Sequence, residues 1–245
     1  GPRNPWLVCI GLFLIYTGFW GFYAACNIPI FDLGPEYGME GVTFFTATNI
    51  YVTPTTLSGI TMNFLLSLAG GLLAGYWISK GDPFWTYSGG LAGIIAASAG
   101  NDLYHPMQSL IIAGVGTAIA YKLHYWVERT FKIDDAVGAV AVHGYAGVVG
   151  LVICGFVLWG YPSSGYGVGS MWVGTDYAPI NPLGMIIGAI IMFGVLGFLP
   201  GWILAKILHG MGKLRIPREV ELAGLDYNIM EQAQKDERAV ASSNR

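Results

Sequence analysis

Six stretches of this chain, each at least 19 residues long, contain no Asp, Glu, Lys or Arg. They lie between Arg3 and Asp32, Glu40 and Lys80, Asp82 and Asp102, Asp102 and Lys122, Asp135 and Asp176, and Asp176 and Lys206. A helix needs about 20 mostly apolar residues to cross the hydrocarbon core of a bilayer, so each stretch is long enough for one crossing. Composition agrees: only 11% of the 245 residues are charged, against roughly 25% in a soluble domain. The expected fold class is an all-α integral membrane protein with six transmembrane helices. These are placed near Trp6 to Ile28, Thr55 to Ile78, Phe84 to Gly100, Pro106 to Val127, Ala136 to Leu158 and Pro182 to Leu208. Of the 27 charged residues, 13 lie from Lys206 onward, which sets the expected division into a membrane domain, 1–208, and a cytoplasmic tail, 209–245.

The connections alternate in charge. Arg3, Lys80, the group Lys122, Arg129 and Lys132, and the tail hold all twelve basic residues; the intervening connections carry Asp32, Glu36, Glu40, Asp102 and Asp176. Basic residues near helix ends are retained in the cytoplasm, so both termini are expected there. A net charge of −3 leaves no overall basic field for nucleic acid. Cys9, Cys26 and Cys154 show no zinc-type spacing, so no metal, disulfide framework or cofactor is expected, and no catalytic constellation argues for an enzyme. The run Gly165-x-Gly167-x-Gly169 follows a membrane helix rather than a strand and is not a phosphate loop. Trp6, Trp77, Trp85, Trp126 and Trp159 fall near helix ends, where interfacial anchors are expected.

Thirty-six glycines crowd the spans, as in Gly70-Gly71-x3-Gly75 and Gly89-Gly90-x2-Gly93, which suits close helix packing where lipid removes the hydrophobic drive. Asp134 and Asp135 open an otherwise uncharged helix, where a carboxylate can accept the free N–H groups of the first turn. His143 follows eight residues after Asp135; in a continuous helix that is about 12 Å deeper, towards the middle of the bilayer. Titratable side chains at such depth face a partner or a cavity, either as a neutral hydrogen-bonding neighbour or as part of a transport path. His105, His124 and His209 sit near helix ends, too shallow to stand beside it.

The run Asp134-Asp135-Ala136-Val137-Gly138-Ala139-Val140-Ala141-Val142-His143-Gly144 resembles the D-D-x-x-G-x-x-x-V-H-G signature of the ammonium transporter and Rh protein family. Gly18-Phe19-Trp20-Gly21-Phe22-Tyr23-Ala24-Ala25-Cys26 is similar to that family's G-W-F-G-F-N-A-G-S helix. Ser88-Gly89-Gly90-Leu91-Ala92-Gly93 through Ala99-Gly100 resembles N-G-x-L-A-G…A-G, and Gly224-Leu225-Asp226 resembles the cytoplasmic G-L-D. The resemblance implies transport of ammonium or ammonia through a pore in each subunit of a trimer. It makes His143 the second of two pore histidines and Phe22 an aromatic gate. Cys26 stands where the family has a serine lining the outer substrate site, and a thiol is the poorer hydrogen-bonding group. Asp134, Asp135, Gly138 and Gly144 become structural residues of the pore helix. The tail has Tyr227-Asn228-Ile229-Met230-Glu231 in place of the H-G-E that follows G-L-D, so binding of a PII-type regulator is not implied.

Family members resemble an eleven-helix chain with two inverted five-helix repeats and one further helix; this chain matches the later six. Its opening Gly1-Pro2-Arg3 resembles the close of the fifth helix, and no initiator Met precedes it. A fragment or cleaved half is expected, completed by a five-helix segment lying upstream or on a separate chain. The bias of twelve basic residues to none forbids the dual insertion that two copies would need to build an inverted-repeat pore. Apart from Asp135 at a helix end, the spans hold no carboxylate that could line an ion's path. Burying an unpaired charge costs at least several kcal/mol, so ammonia past an imidazole is the favoured species. A non-conducting scaffold subunit of a larger membrane assembly is the alternative.

Overall fold

The computed structural model describes residues 4–26, 57–161 and 179–223, apart from the side chains of Pro5, Ala25, Cys26 and Ala223. Two compact units emerge, Gly1–Phe193 and Gly194–Arg245. The first contains α1 (Pro5–Cys26), α2 (Leu57–Ser79), α3 (Pro83–Ala97) with a 3₁₀ turn over Ser98–Gly100, α4 (Pro106–Phe131), a π-helical segment (Val140–Tyr145) continued by α5 (Ala146–Val157), and α6 (Pro182–Ala189).

Helix starts follow local chemistry. At α3, the Asp82 carboxylate accepts the Trp85 amide at 2.9 Å and Pro83 occupies the first turn, where its missing N–H costs nothing. At α4, His105 Nδ1 accepts the Met107 amide at 3.2 Å while Gln108 Oε1 accepts the His105 amide at 2.9 Å. This capping box gives His105 a local structural role. α4 runs one turn past the expected Val127, because Glu128 and Arg129 remain helical until Lys132 adopts φ 56°.

All six expected helices are present among the described residues, and five spans are long and apolar enough to cross a membrane: Trp6–Ala24, Leu57–Ser79, Pro106–Phe131, Val140–Val157 and Pro182–Gly210. The third helix is shorter, 15 residues plus the three-residue 3₁₀ turn. Together these rise about 28 Å, close to the ~30 Å core. α3 is also the centre of the unit, with ten of its residues buried, including Leu91, Ala92, Ile94 and Ala96.

Glycine makes that centre possible. A Cβ on Gly93 would stand 2.6 Å from the Gly71 Cα, and one on Gly71 would collide with the Gly89 carbonyl. Gly75, Gly89 and Gly150 press equally closely on neighbouring backbone, so α2, α3 and α5 pack backbone to backbone. The aromatic residues of α1 seal one side. The Tyr16 hydroxyl bonds the Tyr87 carbonyl, and the Tyr23 hydroxyl reaches the Ile94 carbonyl at 3.1 Å. Trp6, Trp77, Trp126 and Trp159 are exposed as interfacial anchors should be, whereas Trp85 is buried inside a ring cluster.

A buried polar group ties α2 to the α3–α4 connection. Asn63 Nδ2 donates to the carbonyls of Asn101 and Tyr104 at 2.7 Å each, and the Ser67 and Ser109 hydroxyls donate to Asn101 Oδ1 at 3.3 and 3.1 Å. In hydrocarbon such groups need protein partners.

The second unit begins within a π-helical segment (Ile190–Phe198) and contains α7 (Leu199–Gly210) and α8 (Arg218–Ala223). Lys206 stands 5.5 Å over the Trp202 ring, and Arg215 pairs with Glu221.

Candidate functional site

His143 lies within the π-helical segment Val140–Tyr145. Helical geometry begins at Ala139 rather than at Ala136, because Asp135–Gly138 form a turn closed by a Gly138 N–H to Asp135 carbonyl bond of 2.9 Å. The rise accumulated before His143 is therefore that of four residues, ~6 Å, instead of the ~12 Å of a continuous helix. Gly138 has φ +66°, a conformation for which glycine is suited, and its carbonyl accepts the Val142 amide at 2.8 Å. A π turn spreads the backbone ladder and is frequent at functional sites.

The segment has two faces. Ala141 and Val142 are buried against the first unit's core, while His143 and Val140 are exposed. Asp135, half-buried, caps the turn: its two oxygens accept the amides of Val140 and Ala141 at 3.3 and 3.0 Å. Asp134 is exposed, and at the half-buried Gly144 an added Cβ would meet only the Val140 side chain, at 3.6 Å. The expected cap thus falls to Asp135.

Phe22 is also on an open surface. It is 60% exposed on α1, where Ile15, Gly18, Phe19 and Phe22 line an open groove of about 380 Å³. Its ring meets Phe19 and Tyr23 edge to face at 6.2 and 6.1 Å. Cys26 ends α1, and its side chain lies outside the described residues, as does the Gly224-Leu225-Asp226 motif.

One residue set aside in the sequence as shallow proves central to this end of the unit. His124 is 8% exposed, and its Nδ1 lies 3.5 Å from Asp135 Oδ2. Trp85 and Tyr125 pack edge-on against its ring at 5.1 and 4.9 Å, and the Trp85 indole N–H donates to the Tyr125 hydroxyl at 2.9 Å. The available signal is the aromatic flank of His124, Tyr121 and Tyr125, with an acidic pair beginning ten residues after the histidine. Among the described residues no group of three or more His, Cys, Asp or Glu could hold a metal.

Fold and hydropathy define a multi-pass, all-α integral membrane protein. A profile of the Ammonium Transporter Family matches residues 1–235. This chain belongs to that family. It is 31% identical over 211 residues to the ammonium transporter Amt1 of Methanocaldococcus jannaschii, covering 84% of this chain and 50% of that protein. It is 27% identical over 232 residues to an ammonium transporter of Corynebacterium glutamicum, covering 92% and 44%, and 27% identical over 240 residues to ammonium transporter 1 member 3 of Solanum lycopersicum, covering 92% and 49%. The chain thus spans about half the length of these relatives. A solved structure titled Sensor Amt Protein shares the fold at a TM-score of 0.65 and 20% identity, covering 91% of this chain and 48% of that one.

Proposed function

We propose that this chain forms the His143-bearing half of a conduit for ammonium or ammonia. The carrying observation is where the two resemblance-derived pore residues lie. His143 and Phe22 are both exposed on the first unit, not spent in its core, as residues completing a passage with another segment should be. That relatives named as ammonium transporters are about twice as long supports a complementary five-helix segment, upstream or on a separate chain. A trimeric assembly belongs to the same reading.

Ammonia is the species that passes the imidazole. The described spans hold no carboxylate in their interiors, and an unpaired cation would find no compensating charge, whereas an imidazole nitrogen can donate to or accept from a neutral molecule. Both termini lie in the cytoplasm in this reading, residues 1–208 forming the membrane domain and 209–245 the tail, and the altered tail sequence gives no support for a PII-type regulator.

The test is methylammonium flux in proteoliposomes holding this chain together with a complementary five-helix segment. His143→Ala should abolish or change the ionic character of that flux, and the chain alone should give background flux. Flux independent of His143 would overturn the assignment of the pore residue. Absence of flux from the complete assembly would favour the non-conducting scaffold.

A further inference from the structure

Asp135 is addressed from two directions. Two amides of the His143 turn bond its oxygens, and from α4 the imidazole of His124 approaches Oδ2 to 3.5 Å. That imidazole is itself enclosed by rings. It is buried between the edges of Trp85 and Tyr125, which are joined by the 2.9 Å indole-to-hydroxyl bond. We propose that His124 is a positioning residue for His143: it holds the Asp135 carboxylate against the Val140 and Ala141 amides and so fixes the π turn from which His143 projects. This rests on the reading of His143 as the pore histidine.

The physical basis is a shared anchor. The first N–H groups of a helix have no partner within the helix, so a carboxylate is their strongest available acceptor. An Asp side chain in a turn can choose among staggered rotamers, and only some present both oxygens to the amides. An imidazole packed among rings, with Nδ1 3.5 Å from Oδ2, favours that orientation, as an ion-pair partner when protonated and as a weak N–H donor when its single proton is on Nδ1. Because His124 belongs to α4 and the turn leads into α5, the contact also couples the end of one helix to the start of the next. Gly138, with its positive φ, lets the chain double back far enough for Asp135 to reach both.

Amide exchange in the full chain, reconstituted in lipid nanodiscs, tests this without any flux measurement. His124→Phe, which can pack between the rings but lacks a donor, should lower the protection of Val140 and Ala141 by roughly tenfold, as expected for losing support of a charged hydrogen bond. His124→Gln, which restores an N–H donor, should stay within about threefold of the parent protein on the same scale. Asp135→Asn should lose at least as much as His124→Phe, and the double variant His124→Phe/Asp135→Asn no more than Asp135→Asn alone, since the residues act through one contact. Amides of 151–157 should be unchanged throughout. If His124→Phe does not fold, His124→Leu serves as the donor-free variant. Parental protection in the donor-free variant, or equal loss in His124→Gln, overturns the proposal. Loss of His143-dependent flux with this exchange pattern intact would instead count against the pore reading alone.

Discussion

The Cα of Gly71 occupies the space that a side chain at position 93 would need, 2.6 Å from an ideal Cβ on Gly93. The α2–α3 contact is consequently closed to any larger residue at either position. Gly93→Ala should destabilise the protein by about 1–3 kcal/mol through overpacking. Gly18→Ala on α1, with nothing within 4 Å of the added carbon, should be neutral or stabilising by up to ~1 kcal/mol. Thermal unfolding in a single detergent, followed by helical circular dichroism, compares the two; equal loss at both positions would contradict the packing.

Gly138 is required for its backbone rather than for space. An added Cβ would meet the Phe84 ring only at 3.6 Å, but φ +66° disfavours an L residue. Gly138→Ala should cost about 1–2 kcal/mol. It should also reduce protection of the Val140 and Ala141 amides, because the turn delivers Asp135 to them. Parental stability and exchange in the variant would refute the role.

Asp102, in the connection between α3 and α4, has its carboxyl pKa raised above 3.8 by burial, partly opposed by its own and the Leu103 backbone N–H groups. A raised folded-state pKa means that the folded protein binds the proton more tightly than the unfolded chain. This group's contribution is fully present below pH 3.8 and is lost as pH rises through the folded value. Asp102→Asn should therefore stabilise at neutral pH, with the advantage shrinking as pH falls towards the unfolded value. A gain that grows on acidification would reverse the sign and reject the account.

The short α3 makes a topological prediction. In a chain without native cysteines, single cysteines at 81 and 133 should react with an impermeant thiol reagent from one side of the membrane and a cysteine at 105 from the other. All three labelling from one side would show that α3 and α4 do not cross as separate spans.

The helices were legible because charge marks their limits. Asp82 with Pro83 announces α3, and Asp135 announces the cap of the His143 segment. Less legible was anything that depended on a neighbour. His124 looks interfacial when counted from a helix end, yet Trp85 and Tyr125 bury it, and no linear spacing encodes that cover. Trp85 was misplaced for the same reason: an indole near a helix end is an anchor only where no other helix claims it. The His143 segment starts at Ala139, three residues past the expected Ala136, because a glycine in a motif does not disclose its φ. The family likeness brought Phe22 and His143 forward together, and both prove exposed, whereas the π turn beneath His143 left no sequence signal.

Direct backbone contact between α2 and α3 has a mechanical consequence. Where side chains separate two helices, a small displacement can be absorbed by changing rotamers; where Gly71 meets Gly89 and Gly93, no such compliance exists. The pair behaves as a stiff keel, and strain applied at one end is transmitted to the other with little loss. Movement is thereby diverted to the margin of the unit, at the aromatic edge of α1.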